Sequence, residues 1–272
     1  MKTIFITGAS SGIGGVAAKL FAARGWQVIA TMRDSQKGKA LSATDGITVM
    51  PLDVTNPEQI RQTVKTAMEC FDIDVLFNNA GYGMKCPLEM ATENQIQKNL
   101  STNLIGPMQV TQEFIPYFKR RREGLILTTT SLAGIIAFPL DSVYGAAKRA
   151  LTSMCESLYY ELRPFHVDVK ILIPGATRTS FKMEPYCVDG YEESSKRQVD
   201  YLLNGTMDFA AVEKTAEVVW KAVTDGEDKL HYLGDKIAQK LYDQYQQMDI
   251  EEFKRYFYEL LYPDKEISAT DY

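Results

Sequence analysis

Histidine and cysteine are scarce in this chain, two and four in 272 residues. The cysteines (Cys70, Cys86, Cys155 and Cys187) stand far apart with no C-x-x-C pair, and neither His166 nor His231 has a ligand partner nearby in sequence. A Cys/His metal site has little to build on, so no metal is expected, and a disulfide framework is not expected either. Apolar runs are short. None reaches the roughly 18 residues that a membrane-spanning helix requires. The opening residues run from Met1 and Lys2 through 3–7 into a glycine loop, without the small-residue cleavage site of a secretory signal. A basic surplus is also missing: 30 Lys and Arg against 35 Asp and Glu leave a net charge of -5, which argues against nucleic acid as a partner. There is no repeat, no Pro/Ser-rich linker and no block of like charge. With apolar residues at 45%, a sizeable core is available. These features together describe a soluble, cytoplasmic enzyme or binding protein organised as one domain over residues 1–272.

What the chain does have is alternation. Short β-branched runs at 4–7, 27–31, 48–52, 75–77, 125–130 and 168–173 are separated by amphipathic stretches at 14–24, 57–71, 92–118 and 142–163. Strands alternating with helices predict βαβ units. The expected fold is α/β, a doubly wound parallel sheet (Rossmann) of about seven strands with helices on both faces. Asn56 before Pro57 supplies a helix-start signal. Residues 211–225 read as a helix, 230–233 as a last strand, and 237–261 as helical within a C-terminal extension of about 236–272. Ten of the fifteen tyrosines lie from Tyr186 onward. The stretch 181–205 is polar, aromatic and without clear periodicity. It is a candidate substrate loop, about 180–206, or an ordinary surface excursion.

The segment Thr7-Gly8-Ala9-Ser10-Ser11-Gly12-Ile13-Gly14 follows the first strand and opens the first helix. Glycines at such a junction permit a tight turn, a close backbone approach to a pyrophosphate, and tight helix–strand packing. The helix N-terminus adds unpaired N–H donors and partial positive charge. Ser10 and Ser11 read as caps for the loop and for phosphates, and Ile13 completes the turn.

The spacing is G-x-x-x-G-x-G, and here the chain resembles the short-chain dehydrogenase/reductases. The resemblance continues through Asp53 and Val54, Asn78-Asn79-Ala80-Gly81, Asn103, Ser131, the Tyr144 to Lys148 pentapeptide, and Pro174-Gly175-Ala176-Thr177, and so covers at least residues 3–180. It implies that Asp53 and Val54 contact the adenine. It also implies that Asn79, Ala80 and Gly81 line the cofactor channel and steady the central strands. The 174–179 segment, with Pro174, Gly175, Thr177 and Thr179, would hold the nicotinamide end. Which cofactor is bound depends on the end of the second strand, where an acid selects NAD and an arginine accommodates the NADP phosphate. Met32 occupies the acid position and Arg33 follows, with Asp34 one residue later. NADP is therefore expected over NAD, the other reading of Arg33 being a solvated surface charge.

Tyr144 and Lys148 lie four apart on a predicted helix and so share a face. Hydride reduction of a ketone leaves an alkoxide that needs a proton, and a neighbouring ammonium makes a tyrosine a better donor. Ser131 ends the 125–130 strand, at the carboxyl edge where doubly wound sheets place ligands. In the family that this chain resembles, the tyrosine is the acid/base and the lysine holds the nicotinamide ribose. The serine bonds the substrate carbonyl, and an asparagine, here Asn103, keeps a proton-relay water. Asn103 is equally consistent with a helix kink. Cys155 on the same helix reads as packing, and nothing supports acyl transfer.

Substrate identity falls to the loops 82–88, 132–140 and 181–205, with Tyr82, Met84, Leu132, Ile135, Phe138, Phe181, Met183, Tyr186 and Tyr191. That lining suits a medium-sized apolar or aromatic carbonyl or alcohol. The surrounding turns resemble the retinol and hydroxysteroid dehydrogenase branch, a similarity that carbonyl reductases share. The expectation is an NADPH-dependent carbonyl reductase, reversible as an alcohol dehydrogenase. Two alternatives stay open: a ketoacyl reductase working on a carrier-bound substrate, and an NADP(H)-binding redox sensor. The basic run Lys119-Arg120-Arg121-Arg122 reads as a helix C-terminal cluster answering the dipole. Family resemblance implies a homodimer or homotetramer pairing through the two long helices.

Overall fold

The structure is a computed structural model that describes residues 1–179, 183–185, 189–203 and 209–262. Its first half runs β1 (Thr3–Ile6), α1 (Gly12–Ala23), β2 (Gln27–Met32), α2 (Lys39–Ser42), β3 (Ile47–Pro51), α3 (Pro57–Cys70) and β4 (Val75–Asn78). Next come β5 (Gly83–Lys85), α4 (Glu93–Leu100), α5 (Gly106–Arg121), β6 (Gly124–Thr129), α6 (Ser142–Leu162) and β7 (Val167–Ile173). The remainder is β8 (Thr177–Arg178), β9 (Met183–Pro185), α7 (Glu192–Leu203), β10 (Ala210–Ala211), α8 (Val212–Thr224), β11 (His231–Leu233), α9 (Lys236–Gln247) and α10 (Ile250–Leu261).

Seven of these strands form one parallel sheet in the order β11-β7-β6-β4-β1-β2-β3. The five central strands are largely buried on both faces and their side chains alternate between two cores, whereas the edge strands β3 and β11 are only partly buried. In β1, Ile4 and Ile6 join the layer of Phe21, Val28 and Val219, whereas Phe5 joins Phe114, Ile126 and Ile171 on the other side. α1 and α8 pack together over the first face, and α3 packs on α5 over the second. From β1 the chain winds outward through β2 and β3, then returns to β4 and winds the other way. The strand order reverses between β1 and β4, which opens a crevice beyond their carboxyl ends.

Local chemistry explains the element ends. Asn56 caps α3, accepting from the Gln59 N–H ahead of Pro57, and Thr92 and Gln95 form a reciprocal capping box on α4. The stretch 92–118 is expected as one helix. The structure interrupts it with a wider π-turn at Ser101–Ile105. Pro107 has no N–H to give the carbonyl of Asn103 four residues back, so the backbone loosens there.

Two expectations need correction. The substrate stretch, read as irregular, contains the helix α7; Phe181, Tyr186 and Cys187 lie outside the described residues. The 237–261 helix is two helices, broken at Met248 and restarted by Asp249, whose carboxylate accepts from the N–H groups of Glu251 and Glu252. Among the described residues no helix is long and apolar enough to cross a membrane.

Candidate active site

A cleft of about 620 Å³ lies at the carboxyl ends of β1, β2, β4, β6 and β7. The glycine turn forms one wall of it. Gly8 has φ +69°, and a Cβ there would stand 2.7 Å from the Ala80 Cα, so the β1 turn and the 79–81 segment approach as closely as backbones allow. The Thr7 hydroxyl accepts from the N–H groups of Asn79 (2.9 Å) and Ala80 (3.1 Å), and Asn79 Nδ2 donates back to the carbonyls of Thr7 and Gly8. These bonds clamp the two strands on either side of the switch point.

The cleft collects most of the residues singled out from sequence. Gly8, Ser10, Ser11, Gly12 and Ile13 line one wall, with Asp53, Val54 and Arg33 beyond them. Asn79, Ala80 and Gly81 line the middle, and Pro174, Gly175, Thr177 and Thr179 the far end. Gly14 lies behind the lining, packed on Asn79. Ser11 takes the N-cap position of α1, but its side chain makes no capping bond, contrary to the expected capping role. Asp34 is drawn away. Its carboxylate accepts from the Gln36 N–H at 3.0 Å and caps its own turn. Reading the sequence alone missed Lys37, Lys98, Thr102 and Thr129 as lining residues.

Ser131, Tyr144 and Lys148 converge in the lining of the same cleft. Ser131 ends β6, and its hydroxyl accepts from the Ala133 N–H at 3.1 Å and hydrogen-bonds Tyr144. Burial pushes the Tyr144 phenol above its ordinary pKa, the Ser131 bond pulls it down, and the Asp141 charge pushes it up. Lys148 is 3% exposed, its Nζ 5.9 Å from the Tyr144 ring centre and donating to the Thr129 carbonyl at 3.0 Å. Burial pushes its pKa down to about 8. Asn103 sits in the π-turn, fully buried, with both amide groups spent on the Tyr82 backbone: Oδ1 accepts from its N–H (3.2 Å) and Nδ2 donates to its carbonyl (2.9 Å). Asn103 is not itself a lining residue of the cleft; it touches the lining residue Tyr82 from within the π-turn.

Two further groups frame the site. Asp141, one turn before Tyr144, pairs with Lys85 of β5 at 3.3 Å. Burial raises the carboxyl and lowers the ammonium, so desolvation outweighs their attraction in both. Cys155 is fully buried and its thiol is pushed up to about 12, which makes it packing rather than a nucleophile. The basic run lies at the opposite edge of the sheet. Arg121 donates to the Ile73 carbonyl and to Asp74 just before β4, and Lys119 lies 3.9 Å over the Phe165 ring.

This constellation has relatives. A family model described as short chain dehydrogenase matches residues 2–186. An uncharacterized oxidoreductase of Schizosaccharomyces pombe is 35% identical over 213 residues, which span 76% of this chain and 90% of that protein. Retinol dehydrogenase 8 of Homo sapiens is 35% identical over 190 residues, covering 66% of this chain and 60% of its own length. Among solved structures, a short-chain dehydrogenase from Streptomyces avermitilis superposes with a TM-score of 0.83 at 28% identity, over 95% of this chain and 98% of that one. Sheet order, glycine turn and sequence agree that the chain belongs to the short-chain dehydrogenase family.

Proposed function

We propose that the protein is an NADPH-dependent reductase that interconverts a medium-sized apolar or aromatic ketone or aldehyde and its alcohol. The observation that carries this reading is the Ser131–Tyr144 hydrogen bond with buried Lys148 one turn further on, all three lining the cleft. The residues present fit a dinucleotide. The Gly8 turn leaves no room for a side chain, and Ser11 leaves the first N–H groups of α1 without a side-chain partner. Arg33 and Lys37 line the cleft, whereas Asp34 is spent on its own turn, which supports NADP over NAD.

When bound, the cofactor supplies or receives a hydride. Ser131 and Tyr144 offer hydroxyls to a substrate oxygen, and Tyr144 gives it the proton in the reducing direction. Lys148 places one of its three donors on Thr129, which leaves two for a ribose, and its charge favours the phenolate left on Tyr144. Leu132, Ile135 and Phe138 of the 132–140 loop pack in the apolar core rather than among the residues that line the cleft, whereas Tyr82 does line it. As in the family at large, self-association through α4–α5 and α6 is part of this reading. Ile105 and Tyr160 are 43% and 75% exposed there, and light scattering separates such an oligomer from a monomer.

The deciding experiment follows nicotinamide absorbance with aliphatic, aromatic and steroidal carbonyls, with NADPH and NADH run side by side. Turnover with NADPH is expected. Tight nucleotide binding with no turnover across the panel would favour the sensor alternative. Arg33→Ala and Lys37→Ala should each weaken NADPH binding about tenfold, the scale of a charge-assisted bond, and leave NADH untouched. Fluorescence titration reads this directly, and equal losses for both nucleotides would contradict the assignment.

A further inference from the structure

The C-terminal extension touches the candidate site at a residue that the sequence reading did not single out. Asp235 follows β11 and caps α9. Its Oδ1 accepts from the N–H groups of Ile237 (3.0 Å) and Ala238 (2.9 Å), and its Oδ2 accepts from the Gly175 N–H at 2.8 Å. One carboxylate therefore starts a helix and also ties down the turn that closes the far end of the cleft. The fit is tight: a Cβ on Gly175 would lie 2.7 Å from Asp235 Oδ1 and 3.0 Å from the Ala238 nitrogen. The same turn is held from its other side, where the Pro174 carbonyl accepts from the Leu132 N–H (2.9 Å), next to Ser131. Gly234 donates to the Ile173 carbonyl at 2.8 Å, which fixes the chain just before Asp235. The extension touches the site region a second time through α10, whose Phe257 meets Phe138 edge-on at 5.3 Å, between Ser131 and Tyr144 in sequence.

We propose that Asp235 is a positioning residue for the nicotinamide end of the cofactor, with Oδ2 fixing the Pro174-Gly175 turn that must receive it. The proposal rests on the NADPH reading above. The carboxylate is the only group type that serves both duties here. The two cap donors use one oxygen, and Gly175 needs a second acceptor on the same side chain.

Asp235→Asn separates the duties. The asparagine oxygen still caps α9, but its NH2 faces the Gly175 N–H, donor against donor. Asp235→Ser, which keeps a capping hydroxyl and has no second oxygen, serves as a second variant should the first fold poorly. Hydrogen exchange on the ligand-free protein and NADPH titration are measured together, at a temperature where circular dichroism shows both proteins folded. The expected result is unchanged protection at Ile237 and Ala238, faster exchange at Gly175, and an NADPH dissociation constant raised about tenfold, the scale of one charge-assisted bond. Faster exchange at Gly175 with NADPH affinity within about twofold of wild type would overturn the proposal and leave Asp235 a purely structural clamp. A wild-type protein that binds no nicotinamide nucleotide would sink the NADPH reading, and this proposal with it.

Discussion

Tyr144→Phe is expected to lower turnover by a factor of about 10²–10⁴ while NADPH affinity stays within about twofold. The substitution removes one oxygen and keeps the ring. That ring is packed with Met84, Cys86, Ala133 and Val143, so the apolar cluster at the start of α6 remains filled. The hydroxyl it removes bonds Ser131 and is the proton donor in the proposed chemistry. Ser131 can still hold the substrate oxygen, but the alkoxide formed after hydride transfer then has to take its proton from water. Stopped-flow or steady-state rates give the loss, and nucleotide titration gives the control. A variant that turns over at the wild-type rate would remove Tyr144 from the chemistry.

Lys148→Met is expected to abolish turnover to a similar degree and yet make the ligand-free protein more stable at neutral pH. Burial holds the Lys148 pKa at about 8, below its ordinary 10.5. The folded protein therefore binds the proton less tightly than the unfolded chain. Below pH 8 both states carry the charge and the full cost of burying it stands; between 8 and 10.5 stability rises with pH as the folded lysine becomes neutral. A methionine of similar shape carries no charge at any pH. After allowance for the lost Thr129 bond, the gain is about 2 kcal/mol at pH 7, or about 5 °C in melting temperature. The difference from wild type should shrink as the pH approaches 10. Melting curves at several pH values decide it, and a variant less stable than wild type at pH 7 would mean that Lys148 is already compensated by its surroundings. A residue that costs stability where it does chemistry is the expected trade between the two.

The parallel sheet was legible because its central strands are buried on both faces and so read as β-branched runs between amphipathic helices. The glycine turn, Ser131, Tyr144 and Lys148, which the structure brings to one cleft, were legible as candidates because their motifs depend on spacing within a strand end, a turn or a single helix. What was missed depends on tertiary approach. The π-turn around Asn103 hides inside continuous helical periodicity, and only Pro107 hints at it. α7 escaped notice because its sequence, with two glutamates, two serines, a lysine and an arginine before its first valine, offers few apolar residues to mark a period. Lys37 carried a faint signal, four residues beyond Arg33 on the same connection. Asp235 was visible as a capping residue before a helix, but its bond to Gly175 spans 60 residues and has no local trace.

The reversal of strand order between β1 and β4 has a consequence for how such a chain can change. Arg33 and Lys37 belong to the β1-β2-β3 half, whereas Ser131, Tyr144 and Lys148 belong to the β4-β6-β7 half. The halves meet along one seam, tied by the Thr7 hydroxyl and the Asn79 amide. On the proposed reading, nucleotide choice and bond-making are then inherited on separate stretches of polypeptide. A lineage can exchange one currency of reducing power for another while the machinery that spends it stays as it was.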